Sequence, residues 1–300
     1  MYNGVVNVYK EQDYTSFDVV AKLRGVFGQK KIGHTGTLDP MAEGVLPIVL
    51  GCATKLSELI TSEDKEYDGV LRLGIKTDTD DTTGKIIAEG QPFAPEQDII
   101  GAFQGFQGKL MQIPPIYSAI KKDGKKLYEY ARQGQEIELE PRPVEIFKLD
   151  IQKIEMPDVH FHVKCSKGTY IRSLCRDIGD ELGCYGTLAA LRRTETCGFR
   201  MEDGLKISDL QRLKEEGRLE SAVLPIDSLL SDSPKAEIRN GAEKLLVNGN
   251  KLSEDMLISD EPEDALHAAP YIRIYSDKEL SALYKYNSET GCYKCFKYLQ

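Results

Sequence analysis

The sequence predicts an α+β fold built on a mixed sheet, and two features of the chain say so. Helix-like and strand-like segments intermix without the regular spacing of βαβ units, which argues against a doubly wound parallel sheet. The two kinds of segment are also distinct. Tyr67, Gly69, Leu71, Leu73 and Ile75 fall on alternate positions, as in a half-buried strand, whereas Ile171, Leu174, Cys175, Ile178 and Leu182 return at helical spacing.

In chain order, Thr15-Ser16 can cap a helix running to about Phe27, with Phe17, Val20, Leu23 and Val26 on one stripe. The apolar run Val45-Leu46-Pro47-Ile48-Val49-Leu50 reads as a buried strand, and the glycine-rich segment before it as a loop. Residues 52–62 read as a short helix through Leu56, Leu59 and Ile60, Thr77 to Gly84 as a polar turn, and Pro95 to Phe106 as a helix. Gln112-Ile113-Pro114-Pro115-Ile116-Tyr117 is extended, because consecutive prolines forbid a helix. Lys125 to Gln133 reads as helical and Glu138 to Pro143 as a proline-flanked connector. Strands are expected at 144–155 and 159–165, a helix at Thr169 to Leu182, a strand at Thr187 to Arg193 and a helix at Ile207 to Glu216. The polar stretch Ser228 to Lys235 divides the chain into expected units 1–232 and 233–300, the second with strands at Tyr271–Tyr275 and Leu280–Tyr286.

The 41% hydrophobic content is ample for a core. No apolar run approaches the roughly 20 residues of a membrane helix, and Met1-Tyr2-Asn3-Gly4 does not open a secretory signal. Seven scattered cysteines, an odd number, fit reduced thiols and a cytoplasmic location. The net charge of −9 excludes a generally basic nucleic-acid coat. Basic residues cluster nonetheless. Lys109, Lys121, Lys122, Lys125, Lys126 and Arg132 face only Asp123 and Glu129, and a second group runs from Lys164 through Arg172, Arg176, Arg192 and Arg193 to Arg200. A phosphate-binding face on an acidic body is therefore possible.

Chemistry concentrates in four places. Lys30-Lys31-Ile32-Gly33-His34-Thr35-Gly36-Thr37-Leu38-Asp39-Pro40 puts a carboxylate on a glycine-rich loop beside a core strand, and the following proline holds Asp39 extended. Such a carboxylate can attack, accept a proton or bind a cation; it can equally be a turn residue. Tyr67 opens an alternating strand, where a ring can stack on a flat ligand or pack in the core. Cys165-Ser166-Lys167-Gly168-Thr169-Tyr170-Ile171-Arg172 is a strand, a tight turn and a first helical turn, where an arginine can bind phosphate or grip a carboxylate in a bidentate pair. Lysines interleaved with Tyr117 and Tyr128 suit a backbone-gripping arm for RNA.

Three further patterns point elsewhere. Asp78-Thr79-Asp80-Asp81-Thr82 matches a phosphotransferase D-x-D-x-T run, but no apolar strand leads into it. Cys292 and Cys295 have zinc-knuckle spacing without a second pair nearby, and His160 and His162 share a strand face without a third ligand.

In order and kind these segments resemble the TruB family of tRNA pseudouridine synthases. The resemblance rests on Gly33 to Pro40; Lys65-Glu66-Tyr67 with Thr77-Asp78-Thr79-Asp80; Gln112-Ile113-Pro114-Pro115 with Tyr117-Ser118-Ala119; Lys125-Lys126-Leu127-Tyr128; Ser166 to Arg172; and Leu191-Arg192-Arg193-Thr194. It spans roughly residues 1–230. The stretch Lys10-Glu11-Gln12-Asp13-Tyr14-Thr15-Ser16 departs from the family's usual Lys-Pro-x-Gly-x-Thr-Ser. The resemblance implies a pseudouridine-synthase fold: a mixed, mainly antiparallel sheet with flanking helices and a central cleft. Residues 233–300 resemble a small PUA-like, β-rich RNA-binding module.

The resemblance also implies isomerisation of a uridine in the TΨC loop of tRNA to pseudouridine, with base flipping. No metal or organic cofactor is implied, and the enzyme is expected to act as a monomer. Asp39 matches the catalytic aspartate, Tyr67 the stacking tyrosine and Arg172 the arginine paired with the aspartate. Expected RNA contacts are His34, Tyr170, Lys121, Lys122, Lys125, Lys126, Arg132, Arg192 and Arg193, with residues 109–142 as the clamping insertion. A tRNA-folding chaperone, whose binding matters more than its catalysis, is the alternative of a different class, and the two can hold together.

Overall fold

Residues 1–61, 64–135 and 137–299 are described in a computed structural model, without the side chains of Thr61 and Arg132. The principal sheet runs in the order β1 (Gly4–Lys10), β3 (Glu43–Leu50), β12 (Gly186–Thr196), β4 (Lys65–Leu73), β11 (Asp158–Cys165), β10 (Arg142–Glu155), β7 (Gly108–Gln112). The short strands β2 (Ile32–His34) and β13 (Phe199–Arg200) add to β3 and β12. Every pairing in it is antiparallel except β12 with β3, so the sheet is mixed and mainly antiparallel.

Alternation sets the faces of the central strands. In β4, Tyr67, Gly69, Leu71 and Leu73 are buried; in β11, Val159, Phe161, Val163 and Cys165 are. Ile75 does not continue β4. Gly74 turns the chain at a positive φ, and β5 (Ile75–Thr77) pairs instead with β6 (Ile86–Glu89).

The helices α1 (Ser16–Phe27), α3 (Glu96–Gly105), α5 (Ile171–Glu181) and α6 (Ile207–Glu215) contribute to one core with these strands. A Thr15–Asp18 capping box starts α1, and Val19, Val20, Leu23, Val26 and Phe27 are buried. Phe17 falls outside that arc: it lies about 60° beyond Val20 at its edge and is 63% exposed.

Two more expectations are corrected. The segment after β3 is a 3₁₀ turn, Gly51–Leu56, followed by the short α2 (Ser57–Thr61), with Ser62 outside the described residues. Lys125 and Lys126 are not helical. They form β9 (Lys125–Lys126), paired with β8 (Lys121–Lys122) across Asp123-Gly124, and only then does α4 (Leu127–Arg132) begin. Both turn residues have positive φ, and Asp-Gly is a strong two-residue hairpin signal.

A second sheet, in the order β15 (Leu257–Ile258), β14 (Lys235–Ile238), β16 (Ile272–Ser276), β17 (Glu279–Asn287), β18 (Cys292–Tyr298), begins at Lys235 and carries the short helices α7 (Glu243–Val247) and α8 (Glu263–Ala268). Val45, Val49, Phe199 and Ile226 share a buried cluster with Leu283 and Leu299, so the two sheets pack together. Arg273 reaches back to Asp227 at 2.7 Å.

Candidate active site

The Asp39 loop is tied down on both sides. Thr35 N donates to Pro47 O (3.1 Å), Ala42 N to Asp39 O (3.1 Å) and Asp13 N to Pro40 O (2.9 Å). Ser16 Oγ accepts from Leu38 N at 2.8 Å. Lys10, wholly buried at the end of β1, donates through Nζ to Ala42 O (2.6 Å), Glu11 O (3.1 Å) and Pro40 O (3.3 Å). Burial pushes the Lys10 ammonium down to about 8, with the Asp39 carboxylate pulling the other way. Thus the loop keeps its ties although the proline and glycine of the family stretch are absent. His34 closes β2 and is not a loop residue, since Ile32–His34 pair with β3.

Arg172 reaches the same place from α5. Gln112, at the end of β7, accepts from Tyr170 N (2.8 Å) and donates to Tyr170 O (3.1 Å), as a neighbouring strand would. Tyr170 becomes the residue before the helix and Arg172 sits in its first turn. The Arg172 side chain is 5% exposed, and its Nε meets Asp39 Oδ2 at 2.9 Å. The expected bidentate pair is not formed. Nη1 donates to Thr79 O and Nη2 to Tyr117 O, each at 2.9 Å, and Nη1 stands 3.7 Å from Asp81 Oδ2. Burial raises the Asp39 carboxyl above the usual carboxylate range, Arg172 lowers it and Asp81 raises it further.

Asp39 and Arg172 border a cavity of 620 Å³, whose other walls include Tyr67, Tyr117, Ser118, Tyr128, Tyr170 and Leu191. Lys65 and Lys167 add positive charge at its edge. Burial pushes the Tyr67 hydroxyl up to about 12, with Arg193 opposing, so the ring is a neutral surface near pH 7. The cavity has the volume and the mix of flat apolar and charged groups that suit a planar polar ligand.

The other expected residues divide. Tyr170 and Arg193 line the cavity. His34 does not; it is half-buried, and burial and Arg193 both lower its pKa, which favours the neutral imidazole. Lys121 and Lys125 are exposed on the hairpin, whereas Lys122 Nζ donates to Glu138 O at 2.6 Å and Lys126 lies over the Tyr128 ring at 5.4 Å. The Arg132 side chain lies outside the described residues. Arg192 pairs with Glu43 at 2.5 Å away from the cavity walls. Arg193 has no solvent exposure, so in this structure it does not present itself to a phosphate.

Sequence reasoning passes over Asp81, Lys10 and Gln112. Asp81 stands in a run that reads only as a polar turn, yet it is 4% exposed and accepts from Thr83 N and Thr79 Oγ1. Arg176 ties the same turn to the arm, through Asp80 (2.9 Å) and Ile113 O (3.0 Å).

A mixed sheet with this cleft, and a basic arm beside it, is the pseudouridine-synthase fold. Two solved structures share it over 99% of this chain: "Structure of H/ACA RNP bound to a substrate RNA containing 2'-deoxyuridine" (TM-score 0.71, 25% identity, 85% of that chain) and "Crystal Structure of a Cbf5-Nop10-Gar1 Complex" (TM-score 0.70, 28% identity, 83% of that chain). The model of the TruB family pseudouridylate synthase N-terminal domain matches residues 24–171, and that of the tRNA pseudouridylate synthase B C-terminal domain matches residues 172–231. The chain belongs to the TruB family of pseudouridylate synthases, which are isomerases. Proteins named tRNA pseudouridine synthase B are similar over nearly their whole length. That of Lachnoclostridium phytofermentans is 45% identical (98% of this chain, 99% of the relative), that of Clostridium tetani 42% (94% of each), and that of Lactococcus lactis subsp. lactis 36% (99% and 98%).

Proposed function

We propose that this enzyme converts the uridine at position 55, in the TΨC loop of tRNA, to pseudouridine, with Asp39 as the catalytic group. The observation that carries the reading is the Asp39–Arg172 pair at 2.9 Å on the wall of a cavity shared with Tyr67. The reaction breaks the N1–C1′ bond, turns the uracil and joins C5 to C1′. C5 loses one proton and N1 gains one, so atoms balance without a redox or metal partner. Asp39 can add to the sugar or the base, or take a proton from the sugar. Arg172 opposes the rise that burial gives its carboxyl and so favours the ionised form. Tyr67 holds the detached uracil by stacking, and a hydroxyl titrating at about 12 is too weak an acid to serve as an ionised base near pH 7.

Access requires the uridine to leave its stack. His34, on the strand leading into the Asp39 loop, fills the vacated place. The arm 109–142 grips the T-arm by shape, mainly through Lys121 and Lys125. Residues 1–232 act as the catalytic unit and 233–300 as a PUA-like RNA-binding unit. A monomer working in the cytoplasm fits the reading: all seven cysteines are unpaired, and among the described residues no helix is long and apolar enough to cross a membrane.

The test is to incubate a T-arm stem-loop with the protein and map pseudouridine, beside Asp39→Asn. Conversion by the wild type and none by the mutant, with RNA binding retained, is expected. Appreciable activity in Asp39→Asn sinks the role given to Asp39.

A further inference from the structure

Arg193 is the largest of the fully buried side chains. It stands on β12 opposite Tyr67 of β4 and Gly44 of β3, so its side chain and that of Tyr67 emerge on one face of the sheet. Gly44, at φ +104, permits this closeness: a Cβ there would lie 2.2 Å from Arg193 O. The guanidinium Nε donates to Val45 O at 2.7 Å, and Nη2 to Gly36 O at 3.2 Å, in the loop that leads to Asp39. Gly36 stands at φ +100, a conformation that favours glycine, and a Cβ there would be in ordinary contact with Nη1 at 3.7 Å. Tyr67 is the direct cross-strand partner of Arg193, so the two side chains stand side by side on that face, and the guanidinium opposes the rise that burial gives the Tyr67 hydroxyl. Among the described residues no carboxylate pairs directly with Arg193. A cation buried on carbonyls alone is costly, and this one spends its hydrogen bonds on the loop before Asp39 and on β3.

We propose that Arg193 is a positioning residue for the reaction and not a phosphate contact. It ties the Asp39 loop to Tyr67 and to β3, so that carboxylate and stacking ring keep one spacing when RNA enters. This rests on the function proposed for the cleft.

The test measures single-turnover conversion of a T-arm stem-loop, and its Kd, for wild type, Arg193→Lys, Tyr67→Phe and the double mutant. Arg193→Lys is expected to slow the reaction at least about tenfold through lost alignment. Its Kd should stay within about twofold, since no phosphate contact is lost. In the Tyr67→Phe background the same change should cost less than about threefold, because coupled residues do not add. Equal losses in both backgrounds, an unchanged rate, or a Kd that weakens in step with the rate would overturn the proposal. Should Arg193→Lys melt below the assay temperature, Arg193→Gln is scored by the same criteria. A wild type that makes no pseudouridine sinks the functional reading itself; an active wild type indifferent to Arg193 sinks only this inference.

Discussion

Replacing Arg172 by lysine keeps the charge and removes the geometry. The guanidinium commits three nitrogens to acceptors that lie in different directions: Asp39 Oδ2, Thr79 O and Tyr117 O, each at 2.9 Å. Lysine carries its three protons on one nitrogen and cannot meet that set. At 5% exposure the site is sheltered from solvent screening. A hydrogen bond to a charged group is worth about 1.5–3 kcal/mol. If that energy holds Asp39 in its reacting geometry, its loss slows the chemical step about 12- to 140-fold, at about 1.4 kcal/mol per tenfold. Stability falls as well, because a buried carbonyl left without a donor costs about 1–3 kcal/mol. The assay is single-turnover conversion of a T-arm stem-loop at saturating enzyme, with RNA affinity measured separately. Affinity should be nearly unchanged, since the three nitrogens contact protein. A conversion rate within about twofold of the wild type would refute the reasoning, because the lost interaction would then not be one made in the transition state.

Three other outcomes are expected. Asp39 must be ionised to act and its carboxyl is raised, so activity should disappear as pH falls through a value above the ordinary 3.8; Arg172→Met, which removes a lowering charge, should move that limb to higher pH, and an unmoved limb in the pH–rate profile contradicts the pairing. Lys10→Met leaves the carbonyls of Glu11, Pro40 and Ala42 without their donor and should lower unfolding stability by about 2 kcal/mol or more, read by denaturant titration. Lys121→Ala and Lys125→Ala should each reduce the slope of log K against log salt by about 0.7–0.9; Lys122→Ala, whose ammonium is held by Glu138 O, should change it less, and equal slopes for all three would contradict this division.

Local periodicity was readable wherever one face of an element is buried. The alternation of β4 and β11 and the stripe of α5 appear in the structure within two residues at most boundaries. Short elements were less readable. The hairpin at Lys121–Lys126 depends on two residues at positive φ; β1 carries no alternation because both of its faces are covered, and β14 alternates but over only four residues. Asp39 was visible because Asp-Pro after glycines confines a carboxylate to an extended turn. Its neighbours Asp81, Thr79 and Tyr117 were not, because they converge on Arg172 from two separate segments, the 77–84 turn and the arm, and nothing local marks them as inward.

Arg192 and Arg193 show where the division falls. By itself the sequence determined that a basic doublet stands on a strand, that its two side chains must face opposite ways, and that the strand follows the turn bearing Arg172. Only the tertiary structure decided which one is inside. The register of β12 against Tyr67 and Gly44 sends Arg193 into the cleft to hold Gly36 and Val45, and leaves Arg192 in solvent with Glu43. A period of two fixes that neighbours differ in face, but the parity comes from strands remote in the chain, and a shift of one residue would exchange the two roles.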